Sequence, residues 1–192
     1  MRLFLAIYPS DAAVDHLRKV QAVLRPIAPE ANFTRDVNLH LTLQFFGETS
    51  PEQLERLRET LRTTLAGGGD LNLAATQLVL FPPSGGARVV AARVGGESTD
   101  QLLLVQSAVE RAARSMGFRP EEKRFTPHIT LARADGARGR PLPPAVVSRM
   151  FPAAQRFWPG PTFQVRQVSL MESEPAPGGA RYRRLSQFDL FG

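Results

Sequence analysis

The 192-residue sequence contains no cysteine. That excludes disulfides, cysteine-ligated zinc and a thiol nucleophile, and it leaves the redox compartment undetermined. Lysine is nearly absent too. Only Lys19 and Lys123 are found among 24 basic residues, so the formal net charge of +6 is carried by arginine. A guanidinium fork matches phosphate oxygens, and an arginine-rich chain suits phosphate-bearing partners. A GC-rich genome also writes arginine for lysine, so composition does not separate the two explanations. No apolar run reaches membrane-spanning length, which predicts no membrane partner. The apolar start, Met1–Ile7, is followed at once by a turn and a charged segment. It reads as a first strand and not as a signal peptide, with the cytoplasm as the expected location. Histidine is scarce as well: His16, His40 and His128 are the three in the chain.

Two of those three sit in matching stretches. His40-Leu41-Thr42-Leu43 and His128-Ile129-Thr130-Leu131 each read His, apolar, Thr, apolar. In a β-strand, residues two apart share a face. Each stretch therefore puts an imidazole and a hydroxyl on one side and two apolar side chains on the other. The apolar pair calls for a core. The polar pair must face water, a partner or a ligand. A lone His-x-Thr in a strand is more often structural than catalytic, and threonine is common in strands for its shape alone. The duplication is what raises the functional reading.

The rest of the chain has an apolar share of 43%, enough for a core at this length, and reads as one domain over residues 1–192. Arg2–Tyr8 reads as a central strand. A helix follows, capped by Ser10 or Asp11, with Val14, Leu17, Val20, Ala22 and Leu24 as its apolar stripe. His16 falls in it as a solvated residue. Residues 31–36 form a connection extended around Phe33, and Val37–Phe46 is the first motif strand, closed by Gly47. Thr49-Ser50-Pro51-Glu52 opens a second helix with its stripe on Leu54, Leu57, Leu61 and Leu65. Gly67-Gly68-Gly69 ends it, without the flanking residues of a phosphate-binding loop. Strands at 71–81, with a bulge, and 88–94 form a hairpin around the turn 82–86. A third helix starts at Ser98-Thr99-Asp100, with Leu103, Val105, Val109 and Ala112 inward. A charged stretch, 119–124, leads to the second motif strand. A Gly/Arg/Pro-rich loop, 134–144, a short helix at 144–150, one long strand at 162–172, a turn at 175–179 and a last strand at 182–190 complete the chain. The class is α+β, with two similar halves, each giving one motif strand to a shared groove between antiparallel sheets.

Two imidazoles and two hydroxyls around one phosphorus suit the opening of a 2′,3′-cyclic phosphate. In-line displacement needs a base for water on one side and an acid for the departing oxygen on the other. Imidazole does both near neutral pH. The threonine hydroxyls can donate to non-bridging oxygens, and an arginine can neutralise developing charge. No metal or other cofactor is called for. Zinc wants at least three protein ligands, and neither motif contains an acidic residue.

At this point the residues resemble a known family. Asn38-Leu39-His40-Leu41-Thr42-Leu43-Gln44-Phe45-Phe46-Gly47-Glu48 resembles the first signature of the 2H phosphoesterases, and more narrowly of the RNA 2′,3′-cyclic phosphodiesterases historically called 2′-5′ RNA ligases. Residues 124–133, Arg-Phe-Thr-Pro-His-Ile-Thr-Leu-Ala-Arg, resemble the second. Residues 2–7 and 178–182 fit as well. The chain departs from the pattern at Phe33 and Ala91, where relatives often carry Trp. The resemblance implies a bilobal LigT-like fold. Both motifs would line a central cleft, with helices outside the sheets. It implies hydrolysis of cyclic-phosphate RNA ends to 2′-phosphates, with His40 as proton donor and His128 as proton acceptor. Thr42, Thr130 and Arg133 would bind the phosphate, RNA would be the partner, and the protein would be a monomer. Strand parity alone puts Arg133 on the face opposite His128, so its role requires a strand end or a bulge there. The alternatives are ligation by the reverse reaction, an RNA-end binding module without catalysis, and action on small cyclic nucleotides.

Overall fold

The computed structural model describes residues 1–83, 86–120, 124–134, 140–176 and 180–191. The expected turns at 82–86 and 175–179, the charged stretch 119–124 and the loop 134–144 therefore fall partly outside the described residues. Four helices pack around an antiparallel sheet. The strands are β1 (Arg2–Ile7), β2 (Asn32–Phe33), β3 (Leu41–Glu48), β4 (Leu71–Phe81), β5 (Val89–Gly95), β6 (His128–Arg133), β7 (Phe163–Val165), β8 (Gln167–Glu174) and β9 (Arg181–Asp189). The helices are α1 (Asp11–Leu24), α2 (Pro51–Leu65), α3 (Thr99–Ser115) and α4 (Pro144–Ala154). The strand order is β7-β4-β5-β6-β3-β1-β8-β9, with the short β2 on β6. No helix among the described residues is long and apolar enough to cross a membrane.

The single strand expected over 162–172 is two. β7 pairs with β4 at one end of the sheet, whereas β8 pairs with β1 near the other. Arg166 alone joins them, so the sheet must curl until its ends approach. The Arg166 carbonyl accepts the Leu190 amide at 2.8 Å, where a ladder partner would otherwise sit.

The two motif strands meet at the middle of this curl. Between β3 and β6 the backbone pairing consists of one residue pair, Leu41 with Ile129. The motif strand starts later than expected: residues 36–38 form a 3-10 turn and Val37 is 74% exposed. Both motif strands then carry the same irregularity. In β3, Thr42 pairs with Ala6 and Gln44 with Leu5, so Leu43 is an extra residue. In β6, Thr130 pairs with Ala91 and Ala132 with Val90, so Leu131 is extra. Each is a β-bulge three residues after the histidine, and each reverses the strand's alternation.

The helices cover the outer side. Ser50 and Gln53 form the capping box of α2, and Ser10 caps α1. In α3 the inward residues are Leu102, Val105, Val109 and Ala113, so Leu103 and Ala112 lie off the stripe. In α1, Ala22 is exposed and the polar Gln21 is buried in its place, 2% exposed. The Gln21 amide donates to the carbonyls of Thr34 and Leu131, both at 2.9 Å. Gln21 thus holds the bulged residue of β6 from behind. His16 is not solvated as expected: its ring wedges edge-on against Phe157 and Trp158. Gly160 makes room for it, since a Cβ there would lie 2.7 Å from the imidazole.

Gln21→Leu removes both donors while keeping bulk, leaving the Thr34 carbonyl short of a partner. An unsatisfied buried acceptor costs about 1–3 kcal/mol. The denaturant midpoint of Gln21→Leu should fall accordingly, and an unchanged midpoint would show that the amide does not hold the bulge.

Candidate active site

His40 and His128 stand at the entrances to β3 and β6 and line one cavity of about 360 Å³. Thr42, Thr130 and Arg133 line it as well, so all five residues singled out from the sequence come together. The bulge at Leu131 explains Arg133. By parity it belongs on the opposite face from His128, but the extra residue returns it to the cavity side.

The two histidines are oriented in the same way. Nδ1 of His40 lies 2.7 Å from the Asn38 carbonyl, and Nδ1 of His128 lies 2.7 Å from the Thr126 carbonyl. A carbonyl only accepts, so each ring places its Nδ1–H there, and Nε2 becomes the position that exchanges a proton. At His40 the Thr42 hydroxyl lies 3.1 Å from Nε2. Asn38 is anchored in turn: its amide donates to the Ala180 carbonyl at 3.2 Å, tying the first motif to the start of β9.

The surroundings of the rings differ. His40 sits in an aromatic box of Phe4, Tyr8 and Tyr182, with ring centroids 5.1, 5.8 and 5.3 Å away. Burial there pushes its pKa below the ordinary histidine value. The Asn38 carbonyl opposes this, and the charges of Arg133 and His128 add to it. The Tyr8 hydroxyl is buried without a hydrogen-bond partner among the described residues, and burial pushes its pKa up to about 12. Tyr8 therefore stays neutral beside His40. His128 has one aromatic neighbour given by ring geometry, Phe81, at 4.7 Å.

The fold repeat also relates residues the sequence left unremarked. Phe45 stands five residues after His40, as Arg133 stands five after His128. Each follows its strand's bulge, and each lines the cavity. One half offers a cation there and the other a ring that is 55% exposed. Thr34, Arg2, Ser173 and Tyr182 also reach the cavity from β-strands distant in sequence, and no local pattern marks them. Among the described residues no group of three or more His, Asp or Glu side chains is placed to hold a metal ion.

Comparison with known proteins agrees with this geometry. The model of the 2′-5′ RNA ligase superfamily matches residues 8–176. An RNA 2′,3′-cyclic phosphodiesterase of Methanothermobacter thermautotrophicus is 30% identical over 190 residues, 99% of each chain. One from Aeropyrum pernix is 40% identical over 114 residues, 55% of this chain and 58% of its own. The crystal structure of TT0787 of Thermus thermophilus superposes with a TM-score of 0.81 at 26% identity, covering 100% of this chain and 99% of that one. The shared LigT-like architecture is the expected α+β fold, and the chain belongs to the 2′-5′ RNA ligase superfamily.

Proposed function

We propose that this chain is an RNA 2′,3′-cyclic phosphodiesterase, acting as one bilobal catalytic domain over residues 1–192 and as a monomer. The observation that carries the reading is the pair of matched imidazoles, each locked through Nδ1, on one phosphate-sized cavity. Relatives from two archaea bearing that name support it.

The step follows from the groups present. A water oxygen attacks phosphorus while His128 Nε2 takes its proton. The bond from phosphorus to the 3′-oxygen breaks, and His40 Nε2 gives that oxygen a proton. The product is a 2′-phosphate with a free 3′-hydroxyl. Thr42, Thr130 and Arg133 hold the non-bridging oxygens, where charge builds in the transition state. These groups supply acid, base and charge stabilisation without a metal. The same groups run in reverse would join a cyclic phosphate to a 5′-hydroxyl, but water at its ordinary concentration favours hydrolysis. The net charge of +6 favours RNA over small cyclic nucleotides as substrate.

His40→Ala and His128→Ala should each lower hydrolysis of a cyclic-phosphate-ended oligonucleotide by about 10²–10⁴-fold with the fold retained. Full activity in both variants would end this reading. Chelator should leave the wild-type rate unchanged, as product analysis of the same oligonucleotide would show.

The pH profile carries a sign. As the acid, His40 must hold its proton, and its pKa is lowered. The descending limb of kcat/KM should therefore lie below the ordinary histidine value of about 6.5. Arg133 is one of the charges that hold it down. Arg133→Gln should move that limb to higher pH even as the maximum falls. A limb that stays in place, or moves to lower pH, would separate Arg133 from the titration of His40.

A further inference from the structure

Beside the phosphate cavity lies a second hollow of about 480 Å³, sharing Thr42, Phe45, His128 and Arg133 with it. It exists because β3 and β6 part after one residue pair. The segment 124–127 runs past β3 without pairing to it. The gap opens onto α3. Aromatic rings of Phe45, Phe81 and Phe125 border it, and Gln106 and Glu110 of α3 contribute polar groups. Glu110 is engaged by Arg114 at 3.0 Å. Gln106 is not: it is 8% exposed, and its side-chain amide has no hydrogen-bond partner among the described residues. A buried amide without a partner is costly, and proteins retain such a group where a ligand completes it. An amide offers one acceptor and donors side by side, the complement of a nucleobase edge. Aromatic faces supply stacking to any base.

Resting on the hydrolase reading above, we infer that this hollow binds the base of the nucleotide carrying the cyclic phosphate. The base stacks against the phenylalanine rings, and Gln106 hydrogen-bonds its edge. The hollow adjoins the phosphate cavity, as the geometry of a nucleotide requires, since base and cyclic phosphate leave the same ribose. Phe45 touches both hollows and Phe81 packs on His128. The separable determinants of base binding are therefore Gln106 and Phe125.

The test uses two oligonucleotides ending in a 2′,3′-cyclic phosphate, identical except that one has an abasic last ribose. The wild-type protein should prefer the base-bearing end by about tenfold or more in kcat/KM. Gln106→Leu, which keeps the bulk, and Phe125→Leu should each remove most of that preference. The loss should appear as a higher KM with kcat retained, and the abasic substrate should be unaffected. Equal losses on both substrates would make the two residues structural and overturn the inference. So would a base preference that neither variant moves, which would put the base elsewhere in the cleft. A parallel calorimetric arm compares a nucleoside 2′-monophosphate with ribose 2-phosphate on wild type and Gln106→Leu. If the wild type hydrolyses neither oligonucleotide, the hydrolase reading fails by itself. The binding arm then still decides the hollow: a preference for the nucleoside lost in Gln106→Leu supports it, and no preference overturns it.

Discussion

The site depends on one contact made twice: a backbone carbonyl two residues upstream holds Nδ1 of each motif histidine. An imidazole has two nitrogens, and chemistry at one requires that the other be committed. Both commitments are made by main chain, so they follow from backbone conformation and survive side-chain change at positions 38 and 126. The entry into each strand therefore matters more than the strand itself. A 3-10 turn at Asp36–Asn38 delivers the first carbonyl, and the Pro127 connection delivers the second. Beyond the histidines, the paired bulges at Leu43 and Leu131 let each strand show one face to the groove for longer than alternation permits. His, Thr and the residue five on from His all reach the cavity as a result.

The repetition is geometric and not chemical. The two halves share their bulges and their carbonyl locks, but they surround their histidines differently. His40 is enclosed by three aromatic rings, while Arg133 in the other half projects its charge toward it. Five residues after the histidine one half carries a guanidinium and the other a phenyl ring. A symmetric frame with unequal furnishing is what an asymmetric reaction needs, since one proton is given while another is taken. The tyrosine beside His40 cannot share in that traffic, because burial keeps its hydroxyl neutral throughout the accessible pH range.

Much of this was legible in the chain. The spacing of His40 with Thr42 and of His128 with Thr130 placed each pair on one strand face, and the capping signals at Ser10 and Ser50 were read correctly. What escaped has a common cause. A bulge inserts a residue without changing composition, so nothing local announced that Arg133 would return to the groove. The strand expected over 162–172 kept its alternation across Arg166, and only the pairing partners divide it. Gln21 occupies a helix face that an apolar stripe should fill, because its partners are carbonyls more than a hundred residues away in one case. The stripe of α3 was misjudged because three leucines in succession, at 102–104, leave the phase of the helix undetermined. Leu104 is in fact 70% exposed. His16 was misread because its packing partners, Phe157 and Trp158, lie far along the sequence.

The lone rung between Leu41 and Ile129 has a wider meaning. The halves that flank it hold the two imidazoles on opposite banks, so any phosphate ester gripped by both becomes a strap across the seam. Its binding energy is then also cohesion energy for the protein: occupancy draws the banks together and emptiness relaxes them. In such a molecule the strength with which substrate is held and the stiffness of the empty sheet are two readings of one free energy.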